Sequence, residues 1–251
     1  MTEPGPSLAP SFYASTAPNR SAWADWWVLL HPPYTLWHLS YVAIGASLAQ
    51  RFDAGRLAAT LVAFFLGVGV CAHALDELHG RPLRTRLPTW LLIGAAVVSL
   101  TGAVVLGFVG ITYVGPGLIA FIAIGVLLTC GYNLELFAGR LHNDVTFAAA
   151  WGAFPVLTAY YAQAETLRIP ALAAATGAYG LSIAQRSLST PARTLRRRVR
   201  TLHATITYDD GRRQTLQATS LLEPLEAALK ATAWAIVSLA IALVVFRATT
   251  S

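Results

Sequence analysis

The stretch that decides the fold reads Cys71-Ala-His-Ala-Leu-Asp-Glu-Leu-His-Gly-Arg-Pro-Leu-Arg-Thr-Arg86, and it follows an apolar run that begins near Leu57. If that run continues as an α-helix, His73, Asp76 and Glu77 stand at positions i, i+3 and i+4 and share one face. Ionisable side chains at membrane depth are costly and usually turn toward a bundle interior or a watery cavity. The stretch therefore predicts a polar site at the end of a membrane helix.

The composition is that of a polytopic membrane protein. Of the 251 residues, 55% are apolar and 12% are charged, which is more apolar surface than one soluble core can bury. The chain has 18 Lys and Arg against 12 Asp and Glu. In a chain this apolar, a basic excess reflects loop asymmetry and anionic lipid headgroups, so no nucleic-acid partner is expected.

Apolar runs predict an all-α fold with about seven transmembrane helices. The runs cover residues 35–50, 57–75, 87–109, 114–131, 145–161, 169–183 and 225–246. Together with their connections they form a single predicted membrane domain over residues 22–251. Residues 1–21 are rich in Pro, Ser, Thr and Ala, which predicts a disordered N-terminal tail. Three tryptophans between residues 23 and 27 indicate a short helix in the lipid headgroup zone.

Basic residues are distributed unequally between the two predicted sides of the membrane. With seven spans, fourteen of the 18 fall on the side of the N-terminus and four on the other. The fourteen are Arg20, Arg81, Arg84, Arg86, Arg140, Arg186, Arg193, Arg196, Arg197, Arg198, Arg200, Arg212, Arg213 and Lys230. Because cytoplasmic loops are enriched in Lys and Arg, the N-terminus and the loop 184–224 are predicted to be cytoplasmic and the C-terminus to lie outside.

The loop 184–224 contains a predicted β-hairpin over residues 202–218. Two alternating segments flank Asp209-Asp210-Gly211, a three-residue loop in which Gly211 takes the left-handed conformation and Tyr208 opposes Arg212. An isolated hairpin is marginally stable in water. We therefore expect this one to lie against the mouth of the helical bundle.

Four segments carry a resemblance to a known family over about residues 25 to 190. They are His31-Pro-Pro-Tyr-Thr-Leu-Trp37, His73-Ala-Leu-Asp-Glu-Leu-His-Gly-Arg-Pro82, Tyr132-Asn-Leu-Glu-Leu-Phe-Ala-Gly-Arg140 and Ala149-Ala-Trp-Gly-Ala-Phe-Pro155. In order and spacing they resemble the landmarks of the UbiA-type intramembrane prenyltransferase superfamily. Members of that family have nine helices, and cytoplasmic loops after the second and sixth hold magnesium and an isoprenyl diphosphate through two aspartate-rich motifs.

The resemblance implies a UbiA-like bundle that moves an isoprenyl group from its diphosphate to an apolar or aromatic acceptor in the membrane. The catalytic residues that it implies are His73, Asp76 and Glu77. Of these, Asp76 and Glu77 would bind Mg²⁺, and His73 would act as a further ligand or as an acid or base. The substrate-binding residues that it implies are Arg81, Tyr132, Arg140 and Arg186.

The chain departs from the family pattern at both aspartate-rich motifs. Where the family has Asn-Asp-x-x-Asp-x-x-x-Asp, this sequence has Ala72, His73, Asp76 and Gly80, and residues 184–193 contain no acid. Magnesium prefers hard oxygen ligands, so the loss of carboxylates argues against the usual two-ion chemistry. A second hypothesis is therefore a non-catalytic relative that binds a prenyl lipid or a partner protein.

Structural interpretations stand beside the functional ones at each motif. The ionisable residues between 73 and 79 also fit a polar network at a helix end. The basic run from Arg193 to Arg200 fits binding of anionic lipid headgroups, or alternatively a direct clamp on diphosphate. Asn143 or Asp144 is a suitable N-cap for the helix that follows, and Arg140 before them is the diphosphate contact that the resemblance adds.

Overall fold

The structure, a computed structural model, describes residues 21–250, and in that part eight helices and two strands form. The helices are α1 (Ala22–Leu29), α2 (Pro32–Ser47), α3 (Ala54–Leu78), α4 (Thr89–Val114), α5 (Leu118–Asn133), α6 (Asp144–Ala164), α7 (Ile169–Arg197) and α8 (Ala218–Thr250). The strands are β1 (Ala204–Thr207) and β2 (Arg213–Leu216). Two helices contain a π-helical segment, Phe65–Ala72 in α3 and Ala149–Ala153 in α6. Apart from Ser21, the predicted tail 1–21 lies outside the described residues.

Within residues 21–250, four helices are long and apolar enough to cross a membrane, namely α3, α4, α6 and α8. The prediction of an apolar helical protein of membrane type is confirmed, but the prediction of seven spans is not, although a helix lies at each predicted position. Helices α2 and α5 have 16 residues each, or roughly 24 Å at 1.5 Å per residue, which is short of a hydrocarbon core of roughly 30 Å. Helix α7 is longer, but its second half is polar and basic.

Glycines allow the central helices to approach closely. Helix α2 packs against α6 and α8. A Cβ on Gly45 of α2 would strike the backbone of Val156 in α6, and a Cβ on Gly152 of α6 would strike the carbonyl of Ala178 in α7. Small residues at these crossings bring helices α2, α6 and α7 into close contact, as in other membrane bundles.

Helix α1 is the short helix that the tryptophans predicted. Trp23 and Trp27 are 80% and 51% exposed, whereas Asp25 is fully buried. The carboxylate of Asp25 accepts a hydrogen bond from the backbone N–H of Arg86, with 3.1 Å between Oδ2 and N. Helix α1 is thereby tied to the loop that follows α3.

Arg56 connects three helices at the end of the bundle opposite α1. Its Nη2 donates to the carbonyl of Tyr113 at 2.6 Å, and its Nη1 donates to the carbonyl of Ala162 at 3.1 Å. The same Nη1 lies 3.0 Å from the carboxylate of Glu165. One guanidinium therefore holds the neighbouring ends of α3, α4 and α6 together.

The predicted hairpin is present. Strands β1 and β2 are antiparallel with Thr207 opposite Arg213, Gly211 has a φ of 80°, and the N–H of Tyr208 donates to the carbonyl of Arg212 at 2.8 Å. The expectation that the hairpin lies against the bundle is wrong, because every residue of β1 is exposed and in β2 Leu216 alone is half-buried. Its strands contain mainly Thr, Gln and Arg, which have little apolar surface to bury.

Candidate functional site

Two adjoining cavities lie between the helices of the bundle, and both are partly open to the surroundings. The first, of about 180 Å³, lies where α2 begins, α3 ends and α7 turns basic, and we call it the basic cavity. Its lining includes four arginines and four histidines: Arg186, Arg193, Arg196, Arg197, His31, His38, His73 and His142. The second, the apolar cavity, has a volume of about 520 Å³ and is lined mainly by aliphatic and aromatic side chains of α3, α4, α5 and α6.

The two cavities share part of their walls. Val68 of α3 and Trp151 of α6 line both, and they pack in one buried cluster with Tyr132. Val68 and Trp151 each lie in a π-helical segment. Such segments are rare in helices and occur frequently at functional sites.

Histidines satisfy one carbonyl of each π-helical segment. The Nδ1 atom of His73 lies 2.9 Å from the carbonyl oxygen of Gly69, and that of His38 lies 2.9 Å from the carbonyl oxygen of Trp151. A carbonyl oxygen is only an acceptor, so Nδ1 carries the proton in both rings. In the neutral tautomer Nε2 then keeps its lone pair, and each ring can accept a proton at that atom.

The basic cavity carries strong positive charge. Asp76 is the single carboxylate among the described residues that line it, against four guanidinium groups. Two of the arginines have acidic partners, since Arg186 Nε lies 2.7 Å from Asp144 and Arg196 Nε lies 3.1 Å from Glu226.

Arg193 differs from these two arginines in its partners. Its Nη2 lies 3.3 Å from the hydroxyl of Thr190, and no ion pair joins it to a carboxylate of the described residues. Burial, followed by repulsion from Arg186 and Arg197, lowers the pKa of Arg193. Its charge is therefore held in a place that favours an anion.

Aromatic rings line the basic cavity beside its arginines, and among them Trp151 also lines the apolar cavity. Tyr132 is buried, its ring stacks on His142 at 4.5 Å between centroids, and Trp151 meets it edge-on at 6.0 Å. The guanidinium carbon of Arg186 lies 5.0 Å from the centre of the Phe147 ring. This arrangement places π-faces beside the arginines, where they can stabilise positive charge.

The structure brings four of the predicted site residues together. His73, Asp76, Tyr132 and Arg186 all line the basic cavity, although they come from α3, α5 and α7. The prediction that His73, Asp76 and Glu77 share one face agrees with this arrangement for His73 and Asp76 and is wrong for Glu77. Their common position follows from the three-residue spacing at the end of α3.

Glu77 is placed elsewhere and does not line the cavity. Its carboxylate is fully buried and accepts hydrogen bonds from the N–H of Leu83 at 2.9 Å and from the N–H and hydroxyl of Thr85 at 2.8 and 2.9 Å. These bonds fold the loop after α3 back onto the helix. Around the helix axis Asp76 and Glu77 lie on opposite sides of His73, about 100° apart, so the Asp76 side faces the cavity while the Glu77 side faces this loop.

Arg81 and Arg140 also lie outside the lining of the basic cavity. Arg81 donates from Nη1 to the carbonyl of Leu87 at 2.6 Å and from Nη2 to the hydroxyl of Thr89 at 2.9 Å, so its guanidinium braces the loop before α4. Arg140 is exposed, and its carbonyl accepts a hydrogen bond from Asn143, which is the N-cap of α6. The side-chain oxygen of Asn143 accepts a hydrogen bond from the N–H of Thr146 at 2.8 Å, which confirms the cap interpretation of Asn143.

The donor set does not fit the Mg²⁺ site that the resemblance implies. Magnesium requires several hard oxygen ligands. Asp76 is the single carboxylate that the described cavity wall offers, and both oxygens of Glu77 bond to the loop. Across residues 21–250, no group of three or more His, Cys, Asp or Glu side chains is placed to hold a metal ion.

His38 and Gln185 also line the cavity, and neither was predicted as a site residue. His38 lies in α2, whereas His31 is the N-cap residue of that helix and has a φ of 45°, so no helical spacing relates the two rings. Gln185 precedes Arg186 at the start of the polar half of α7.

Comparisons of this chain with protein-family models, with curated proteins and with solved structures found no match.

Proposed function

We propose that this protein is a divergent UbiA-like prenyltransferase that moves an isoprenyl group from its diphosphate to an apolar or aromatic acceptor in the membrane. The observation that supports this function best is the contact between the basic and apolar cavities at Val68 and Trp151. An isoprenyl diphosphate joins a multiply charged anion to a hydrocarbon chain. The anion needs charge-paired surroundings and the chain needs an apolar space, and the two cavities offer these side by side.

The chemistry follows from that placement. The allylic carbon–oxygen bond breaks, and the diphosphate leaves with the electron pair beside the arginines, which stabilise its growing charge. The allylic carbon becomes positive near Tyr132 and Trp151, whose π-faces stabilise a cation. The acceptor supplies the electron pair for the new bond, and its proton moves to Nε2 of His73.

The proposed membrane arrangement keeps the predicted orientation. The seven helices α2 to α8 form one bundle, with the basic cavity and the loop 184–224 on the cytoplasmic side. Arg198 and Arg200 are exposed next to the cavity and are suited to anionic lipid headgroups. A diphosphate then enters from the cytoplasm while its tail stays in the bilayer.

A second candidate is a non-catalytic relative that binds the same class of prenyl lipid. The presence of one carboxylate in the described lining of the basic cavity favours it, because the family chemistry uses several. Both candidates share the binding site. They differ in turnover, which is measured as release of inorganic diphosphate in the presence of a membrane lipid extract as acceptor.

The binding step is tested with the purified full chain in lipid nanodiscs. Farnesyl diphosphate should bind at least about tenfold more tightly than inorganic diphosphate, because the tail gains the apolar cavity. Gly67→Leu places a side chain in that cavity and should remove much of this difference. Gly94→Leu is the matched control, because a Cβ at Gly94 also meets open space but lies outside the cavity lining.

Two results would contradict the proposal. One is equal affinity for farnesyl diphosphate and inorganic diphosphate, which would mean that the tail finds no site. The other is an equal effect of Gly67→Leu and Gly94→Leu. Binding without any release of diphosphate would leave the second candidate.

A further inference from the structure

We infer that the basic cavity binds the diphosphate group directly through guanidinium and amide groups, without a divalent cation, and that Arg193 is its principal ligand. This inference rests on the proposed function, because it concerns the headgroup of the same ligand. It differs from the magnesium-dependent binding that the resemblance implies. It is carried by three features of the cavity: its charge, the spacing of its arginines and one buried amide.

The charge of the cavity is already that of an anion site. Four guanidinium groups and one carboxylate line it, and Arg186 and Arg196 are paired with Asp144 and Glu226, so with neutral histidines the cavity and these partners keep an excess of one positive charge. A cation held between Asp76 and the phosphates would add to this excess. Burial, followed by repulsion from Arg186 and Arg197, lowers the pKa of Arg193, and a bound diphosphate would offset that repulsion.

Three arginines of α7 are spaced so that they lie on the same face of the helix. Arg186, Arg193 and Arg197 stand at i, i+7 and i+11 of α7, which puts them along a single helix face. Arg186 and Asp144 pair with each other, and Arg193 has no carboxylate partner among the described residues. A guanidinium presents its donors in a fixed fork that matches two phosphate oxygens at once. Arg193 is therefore available for such a bidentate contact.

Gln185 supplies an independent indication of a ligand. Its side chain is 4% exposed and lines the cavity, and its Oε1 is buried with no hydrogen-bond partner in the described part of the chain. Buried polar groups of this kind are rarely left unpaired. A half-turn of the amide would put its NH₂ group in the place of Oε1, and an NH₂ group can donate to a phosphate oxygen.

Asp76 distinguishes direct binding from binding through a cation. If a divalent ion joined Asp76 to the phosphates, Asp76→Asn would abolish binding. If guanidinium groups hold the phosphates directly, the Asp76 carboxylate repels them, and Asp76→Asn should tighten binding, by on the order of threefold to tenfold. The two modes therefore predict changes of opposite sign.

The test measures binding of farnesyl diphosphate to the purified full chain in nanodiscs, in EDTA and in magnesium. Binding should persist in EDTA. Arg193→Gln should weaken it on the order of tenfold or more, and Arg193→Lys should recover part of the loss. The matched control is Arg200→Gln, which removes an exposed arginine of the same basic run that lies outside the cavity lining and should change the affinity little. Gln185→Leu should also weaken binding, and thermal unfolding of each variant checks that it is folded.

Binding that requires magnesium, or that is lost in Asp76→Asn, would overturn the inference and leave the proposed function standing. Equal effects of Arg193→Gln and Arg200→Gln would overturn it as well, because the basic run would then act by its general charge. Absence of binding in both EDTA and magnesium would instead contradict the proposed function itself.

Discussion

Val68 of α3 and Trp151 of α6 lie in the same buried cluster, and each lines both the basic cavity and the apolar cavity. Both residues belong to π-helical segments, where the helix is locally widened. An isoprenyl diphosphate that uses both cavities would have its phosphate-to-chain bond beside these two side chains. The width of the bundle at this level therefore decides whether head and tail can bind together.

We predict that Val68→Trp separates the two cavities. The larger ring would fill the space beside Trp151, so the affinity for farnesyl diphosphate should fall about tenfold or more while that for inorganic diphosphate stays the same. Val98→Trp is the control, because Val98 is 73% exposed on α4. Calorimetric titration of both ligands measures the effect, and a parallel loss for both ligands would argue against a head-and-tail site.

Glu77→Gln should destabilise the fold without weakening diphosphate binding. The buried carboxylate accepts two backbone N–H bonds and one hydroxyl bond, and an amide turns an N–H toward one set of these donors. We expect a loss of roughly 1–3 kcal/mol, measured by denaturant unfolding. The exposed Glu223→Gln is the control. A change in the diphosphate affinity of the folded variant would instead support a role for Glu77 in the site.

Acid should destabilise the protein through His31. Burial, followed by repulsion from His73, Arg197, Arg196 and Arg193, places the pKa of His31 well below its ordinary value of 6.5. The unfolded chain binds a proton near that value and the folded chain does not. The stability is therefore fully present above about pH 6.5 and is lost as the pH falls toward the folded-state pKa.

Replacing His31 by Gln should reduce the drop in melting temperature between about pH 7.5 and pH 5. His203→Gln removes an exposed histidine and should leave the drop unchanged. Identical pH profiles for wild type and His31→Gln would rule out His31 as the source.

Cysteine labelling in cells tests the predicted orientation of the chain in the membrane. Fourteen of 18 basic residues fall on the predicted cytoplasmic side, so a cysteine at position 210 should react only after the membrane is made permeable. The variant requires replacement of Cys71 and Cys130, which are both free thiols. Labelling from outside intact cells would reverse the proposed topology.

The helices could be predicted because their apolar runs are long, but the number of spans could not. Runs near residues 35–50 and 114–131 predicted helices, and helices α2 and α5 are present there with 16 residues each. Composition shows that a segment is apolar, but the length of its helix depends on where the turns at its two ends begin. The hairpin was predictable to its residue pairs, because Gly211 and the alternating pattern fix its register.

The candidate site could be predicted only where the spacing of residues along one helix determines the direction of their side chains. His73 and Asp76 follow from the helical period, whereas Glu77 depends on a loop that folds back to donate N–H groups from Leu83 and Thr85. The spacing of residues within α3 does not predict the position of that loop. That Arg193 and His73 line one cavity likewise depends on where the bundle places α3 and α7, which is a tertiary property.

Arg56 gives the apolar cavity a fixed depth. It lines the cavity at the end opposite Val68, where it is held by Tyr113, Ala162 and Glu165. The twelve residues between Arg56 and Val68 correspond to roughly 18 Å along α3. A hydrocarbon tail longer than this must bend or pass between helices into the lipid, because a charged guanidinium stands in its way. The side chain that connects three helix ends would thus also limit the length of tail that the cavity accommodates. Affinity should increase with the chain length of the prenyl diphosphate until the tail reaches Arg56, and should not increase further for longer chains.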